Sequence, residues 1–102
     1  MHEDLLARLD EIEAEMKKIG FWIDAENHKP VSPEFEAWLQ KIFLPNARAA
    51  IQTDDLPSTS QVGLMALRQY DYHSHIPEAE NLVALLSRFD RMVESRAPSS
   101  PR

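Results

Sequence analysis

His73-Ser74-His75 is the stretch of this sequence whose residue types most readily do chemistry. Two histidines separated by one residue can both face a cation when the backbone is extended, and Asp71 or Glu78 can add an oxygen ligand. The same turn supports a second chemistry, in which Asp71 orients His73 as a general base beside Ser74 or a tyrosine. A plainer account has Ser74 capping the helix that follows while the histidines lie in solvent. The surroundings favour that account. No third His or Cys falls at ligand spacing, no Gly-x-Ser-x-Gly element supplies a strained nucleophile, and an i,i+2 pair cannot meet on one helix face. His73 and His75 stand as the metal candidates of the chain; no catalytic set and no cofactor is assigned.

The second group of interest is aromatic: Trp22, Trp38, Tyr70 and Tyr72. Such side chains dominate binding hot spots, and they also fill the cores of small bundles with their polar tips left wet. Trp38 lies within an apolar stripe and is expected in the core. Trp22, Tyr70 and Tyr72 are the candidate partner contacts, Trp22 and Tyr72 because they stand at expected helix ends.

The elements that must position these residues read as helices. Leu5, Leu9, Ile12, Met16, Ile19 and Ile23 step by four and three, a seam on one helix face. Glu3 and Asp4 lead, and Lys17 and Lys18 close, as the helix dipole prefers. The spacing predicts a helix over about 3–22 that packs inside the chain's own bundle, the run being too short to argue an intermolecular coiled coil. After a polar loop over 24–31, Ser32-Pro33-Glu34 opens a second helix with a cap, a first-turn proline and an acid. Phe35, Trp38, Leu39, Ile42 and Phe43 form its stripe. Pro45 removes a backbone donor and presses on the carbonyl four residues back, so the helix is expected to kink or break there before running on to about Gln52. Ser58 or Ser60 can cap a third helix over 61–72, whose Val62, Leu64, Met65, Ala66 and Leu67 suggest burial on several sides; Gly63 would admit a close neighbour. A last helix begins near Pro77-Glu78, with Ala79, Leu82, Leu86, Phe89 and Val93 on its seam.

These elements predict an all-α, four-helix antiparallel up-down bundle over residues 1–95, followed by a disordered tail at 96–102. The chain has 102 residues, and 11 basic against 17 acidic side chains give it a net charge of −6. That balance opposes direct nucleic-acid binding, which draws on Lys and Arg to release counterions. There is no cysteine, so disulfide frameworks and thiolate zinc sites are excluded. No run approaches the roughly 20 apolar residues a membrane span needs, and the acidic start is unlike a signal peptide, so no membrane association and a cytoplasmic location are expected. A core this small offsets chain entropy narrowly, which predicts marginal stability, as a monomer or a weak homodimer.

Phe35 to Pro45, with its Trp38-Leu39-Gln40 element, resembles the aromatic-rich helix of the YqcC-like family of small uncharacterised bacterial proteins. The Leu56-Pro57 step, the helix from Val62 to Leu67, the Tyr70-Asp71-Tyr72-His73-Ser74-His75 turn and the final Leu85-to-Asp90 stretch are similar too. After Pro45 the chain departs from that pattern, with Asn46 and Ala47 where Arg and Met are frequent. The resemblance implies an all-helical bundle without an established activity, and, through a neighbouring gene for a tRNA pseudouridine synthase, an accessory role. The expected function is a non-enzymatic interaction or accessory module with a protein partner, the tRNA pseudouridine synthase being one candidate. The alternative is a metal-assisted or acid–base enzyme centred on Asp71, His73 and His75.

Overall fold

A computed structural model describes residues 2–71 and 76–96, with the backbone alone for Arg96. Among them are four helical runs and no strand. None of these helices is long and apolar enough to cross a membrane. The first, α1 (Glu3–Ile19), buries Leu5, Leu9, Ile12 and Met16, the first four positions of the seam, against the rest of the chain. Its exposed side carries the Glu13–Lys17 pair at 2.8 Å and a bond between Arg8 and Glu11. The helix ends three residues earlier than the spacing predicts, because Gly20 adopts φ 88°. A left-handed residue there lets the Phe21 N–H reach back to the Met16 carbonyl at 2.8 Å, which satisfies an otherwise orphaned acceptor. A Cβ at Gly20 would lie 2.5 Å from the Asn27 carbonyl oxygen. The glycine therefore both stops the helix and lets the following loop fold back over its end.

The second run opens with α2 (Pro33–Trp38), passes through a π-helical turn over Leu39–Phe43 and resumes as α3 (Leu44–Gln52). Where a kink or break is expected at Pro45, a π-helical turn precedes the proline and the run continues. Backbone angles stay helical at Trp38, Leu39, Phe43 and Leu44. The hydrogen-bond ladder widens instead, and the Leu44 N–H bonds to the Leu39 carbonyl five residues back. A wider turn relieves the proline ring's pressure on the carbonyl before it and absorbs the missing donor. It also consumes an extra residue, so the buried series runs Phe35, Leu39, Leu44, Ile51. Ile42, expected on the stripe, is 48% exposed for that reason.

The third and fourth runs are α4 (Val62–Asp71) and α5 (Glu80–Arg96), the latter entered through a 3₁₀ turn at Pro77–Ala79. α5 thus extends one residue into the stretch expected as a tail; residues 97–102 lie outside the described residues. α5 packs on α4 and on α1, and α1 also packs on α3. At Gly63 the backbones of α4 and α5 come close. A Cβ there would come within 2.4 Å of Ser87 Oγ and 2.6 Å of its Cα, so the predicted role of this glycine is met. Across other helix pairs, Arg48 bonds Asp10 and Glu13 at 2.8 and 2.9 Å, and Asn81 donates to Glu15 at 3.0 Å.

Candidate functional site

The loop after α1 carries Trp22. It is half-buried, and Lys17 Nζ lies 5.1 Å from its ring centroid, a cation–π contact at the helix end. Its neighbour Ile23 donates its N–H to Gln40 Oε1 at 2.8 Å, which ties the loop to the π turn. Tyr70 lies elsewhere and is only 2% exposed. Its ring stacks on Phe21 at 5.2 Å and meets Phe35 edge-on at 5.8 Å, while its hydroxyl donates to Glu36 Oε2 at 3.0 Å. Burial pushes the phenol far above its ordinary value, and the Glu36 charge and hydrogen bond add to that. Tyr70 is therefore an internal anchor that stays protonated, placed where a partner cannot reach it. Asp71 ends α4 exposed, and Glu78 is exposed in the 3₁₀ turn. Tyr72, His73, Ser74 and His75 lie outside the described residues. Among the described residues, no three His, Asp or Glu side chains converge in a way that could hold a metal ion.

Of the three buried carboxylates among the described residues, Glu15, Glu36 and Asp90, the last two each gather three donors. Glu36, 1% exposed, accepts the N–H groups of Val31 and Ser32 at 3.1 and 2.8 Å as well as the Tyr70 hydroxyl, all on Oε2. Its Oε1 is buried without a hydrogen-bond partner. Asp90, on α5, accepts from Ser60 Oγ at 2.6 Å, from the Val62 N–H at 3.1 Å and from the Gly63 N–H at 2.7 Å. The cap of α4 thus comes from another helix. Ser60, one of the two serines expected to cap α4, spends its hydroxyl on that same carboxylate. Burial raises the Asp90 carboxyl, the bonds from Ser60, Gly63 and Val62 counter this, and the Glu94 charge adds to the rise. Sequence reasoning passed over both acids, yet each has a signal. Leu39 and Phe43 follow Glu36 by three and seven residues, and Leu86 and Val93 flank Asp90 by four and three, so both sit on apolar stripes.

The surface of α4 departs from expectation. Val62, Gly63, Ala66 and Tyr70 are buried, whereas Leu64, Met65 and Leu67 are 42%, 41% and 44% exposed. The helix is covered on one side, mainly by α5, and its largest aliphatic side chains face out. Beside Leu67 lies a cleft of about 300 Å³ between α4 and α5, reached by Ile76 and Val83. A separate cavity of about 280 Å³ opens between the π turn, α3 and α5, over Trp38, Phe43 and Phe89. Trp38 is half-buried in its wall. No ionisable side chain lines the cavity over Trp38, whereas Tyr70, Asp71 and Glu80 line the cleft between α4 and α5.

Comparisons with curated proteins and with solved structures each found no match. A family model does match, over residues 4–92, and spans all four helical runs. The chain belongs to that family, DUF446, which is described as tRNA pseudouridine synthase C.

Proposed function

We propose that this chain is a non-enzymatic accessory module that docks a protein through the outward face of α4, and that the partner is a tRNA pseudouridine synthase. One observation carries the reading. Of the five large hydrophobic side chains exposed on the described surface, Leu64 and Leu67 lie one turn apart on the outer side of α4, with Met65 on its other flank. Clustered apolar exposure of this kind marks interaction sites, whereas scattered single residues do not. The family description supports the choice of partner, and the net charge of −6 suits an RNA-binding enzyme whose own surface is basic. Trp22 is the one partner contact expected from the sequence that is described and partly accessible, and it lies outside this patch.

The presentation of α4 follows from the bundle. We read the runs as alternating up and down, since residue pairs between helices fall with opposed numbering. Gly63 meets Ser87 while Val62 meets Asp90, and His2 meets Asp54 while Arg48 meets Asp10 and Glu13. The test is calorimetric titration of the purified chain into the tRNA pseudouridine synthase of the same organism. Leu64→Gln/Leu67→Gln should weaken the complex about tenfold or more without changing the helical circular dichroism. Failure of the parent chain to bind, or equal binding by the double variant, refutes the reading.

A further inference from the structure

The cavity over the aromatic side chains lies away from the α4 face and has its own chemistry. Its floor is a run of rings, with Trp38 stacked on Phe43 at 5.7 Å and Phe43 meeting Phe89 edge-on at 5.7 Å. Ala47 and Ala50, one turn apart on α3, leave the space that larger side chains would fill. No residue lining the cavity is charged, although 27% of the chain is. Asn46 offers an amide at the rim, while the Ser60 hydroxyl is committed to Asp90 at 2.6 Å.

We propose that this cavity binds a neutral, flat, apolar small molecule of about two fused rings. Size and charge both select it. An apolar cavity of roughly 150 Å³ accepts benzene, and this one, open on one side to solvent, has about 280 Å³. An ionic ligand would surrender its hydration and find no counter-charge in the wall, whereas a neutral ring system removes the aromatic floor from water and keeps one hydrogen bond to Asn46. The reading is independent of any partner on α4.

The probes are 2-naphthol and 2-naphthoate, one ring system with and without a charge. Trp38 in the cavity wall reports binding by fluorescence in a Trp22→Phe background. Saturable quenching by 2-naphthol with a raised Tm is expected, and 2-naphthoate should bind at least about tenfold more weakly. Ala50→Leu fills the cavity and should abolish the quenching. Ile42→Glu sets a carboxylate at the exposed lip, where it spares the fold, and should weaken the neutral probe. Leu64→Gln/Leu67→Gln should leave the titration unchanged. Absence of saturable binding, equal affinity for the two probes, or binding that survives both Ala50→Leu and Ile42→Glu overturns the proposal.

Discussion

Replacing Asp90 by alanine should cost far more than its place near the end of α5 suggests. The carboxylate receives three donors, Ser60 Oγ–H, Val62 N–H and Gly63 N–H, and both Val62 and Gly63 are buried. Ser60 is partly accessible and can turn to water. The two amides cannot, and each buried donor left unsatisfied costs about 1–3 kcal/mol. Loss of a helix cap by itself costs about 0.5–2 kcal/mol, a measure that overlaps the first. The two amides together give about 2–6 kcal/mol, or a Tm lowered by about 10–45 °C for a domain of this size. Asp90→Asn keeps one carbonyl acceptor and should cost about half as much. Urea unfolding followed by circular dichroism measures both. An alanine variant within about 0.5 kcal/mol of the parent would refute the cap. The pH dependence gives a second reading. Burial raises this carboxyl, so the folded protein holds its proton more tightly than the unfolded chain does. The contribution is fully present below the unfolded value and is lost as pH rises through the folded one. Asp90→Asn cannot titrate. The stability of the parent minus that of Asp90→Asn should therefore be largest in acid and decline as pH climbs past the ordinary carboxylate range. A difference that grew with pH would show that the hydrogen bonds outweigh burial.

The other expected outcomes are these. Tyr70→Phe removes the hydroxyl that Glu36 accepts at 3.0 Å and should cost about 1–2 kcal/mol in denaturant unfolding. Because Tyr70 is held protonated, one of the two tyrosines in the chain should stay silent in an alkaline absorbance titration until the helical signal collapses. Gly63→Ala forces a Cβ into the backbone of Ser87 and should cost about 2–3 kcal/mol, with faster amide exchange in α4; a neutral result would mean that the two helices separate freely. Gly20→Ala combines a left-handed φ of 88° with a clash on Asn27 and should cost at least about 1–2 kcal/mol by thermal melting.

The parts legible in the sequence were those in which the 3.6-residue period runs undisturbed. Leu5, Leu9, Ile12 and Met16 repeat on one face, and all four are fully buried. The period failed at Ile42 for a local reason, since a π turn inserts a residue before Pro45 and rotates everything after it. It failed on α4 for a different one. Apolar content alone does not say how many sides of a helix find a neighbour, and α4 is covered along Val62, Gly63, Ala66 and Tyr70 only. The aromatic set divided because Tyr70, though near a helix end, sits one turn beyond Ala66 on the buried line, whereas Trp22 follows the helix-stopping Gly20 into a loop. The buried acids were hidden because a carboxylate on an apolar stripe is read as a break in the stripe. The donors to Asp90 lie 27 to 30 residues away and the Tyr70 hydroxyl 34 residues from Glu36, beyond any local window, although Val31 and Ser32 donate to Glu36 from five and four residues back.

The outward face of α4 is a consequence of these acids. Near its start the helix is held by Asp90 from α5, and near its end Tyr70 is held by Glu36 from α2. Turning α4 about its axis would bury Leu64 and Leu67 and gain apolar contact, at about 25 cal/mol per Å². It would also take the Val62 and Gly63 N–H groups from Asp90 and the Tyr70 hydroxyl from Glu36, leaving these buried donors unpaired at several kcal/mol in total. The polar anchors win, because buried N–H and hydroxyl groups left without acceptors cost more than two half-exposed leucines gain on burial. Paired buried groups thus fix the rotation of α4, and apolar exposure is the price. Hydrogen exchange tests this. In Asp90→Ala the amides of α4 should open together, since one anchor cannot hold the rotation alone. Acceleration confined to Val62 and Gly63 would show that the two ends act separately, and the exposed leucines would then need another cause.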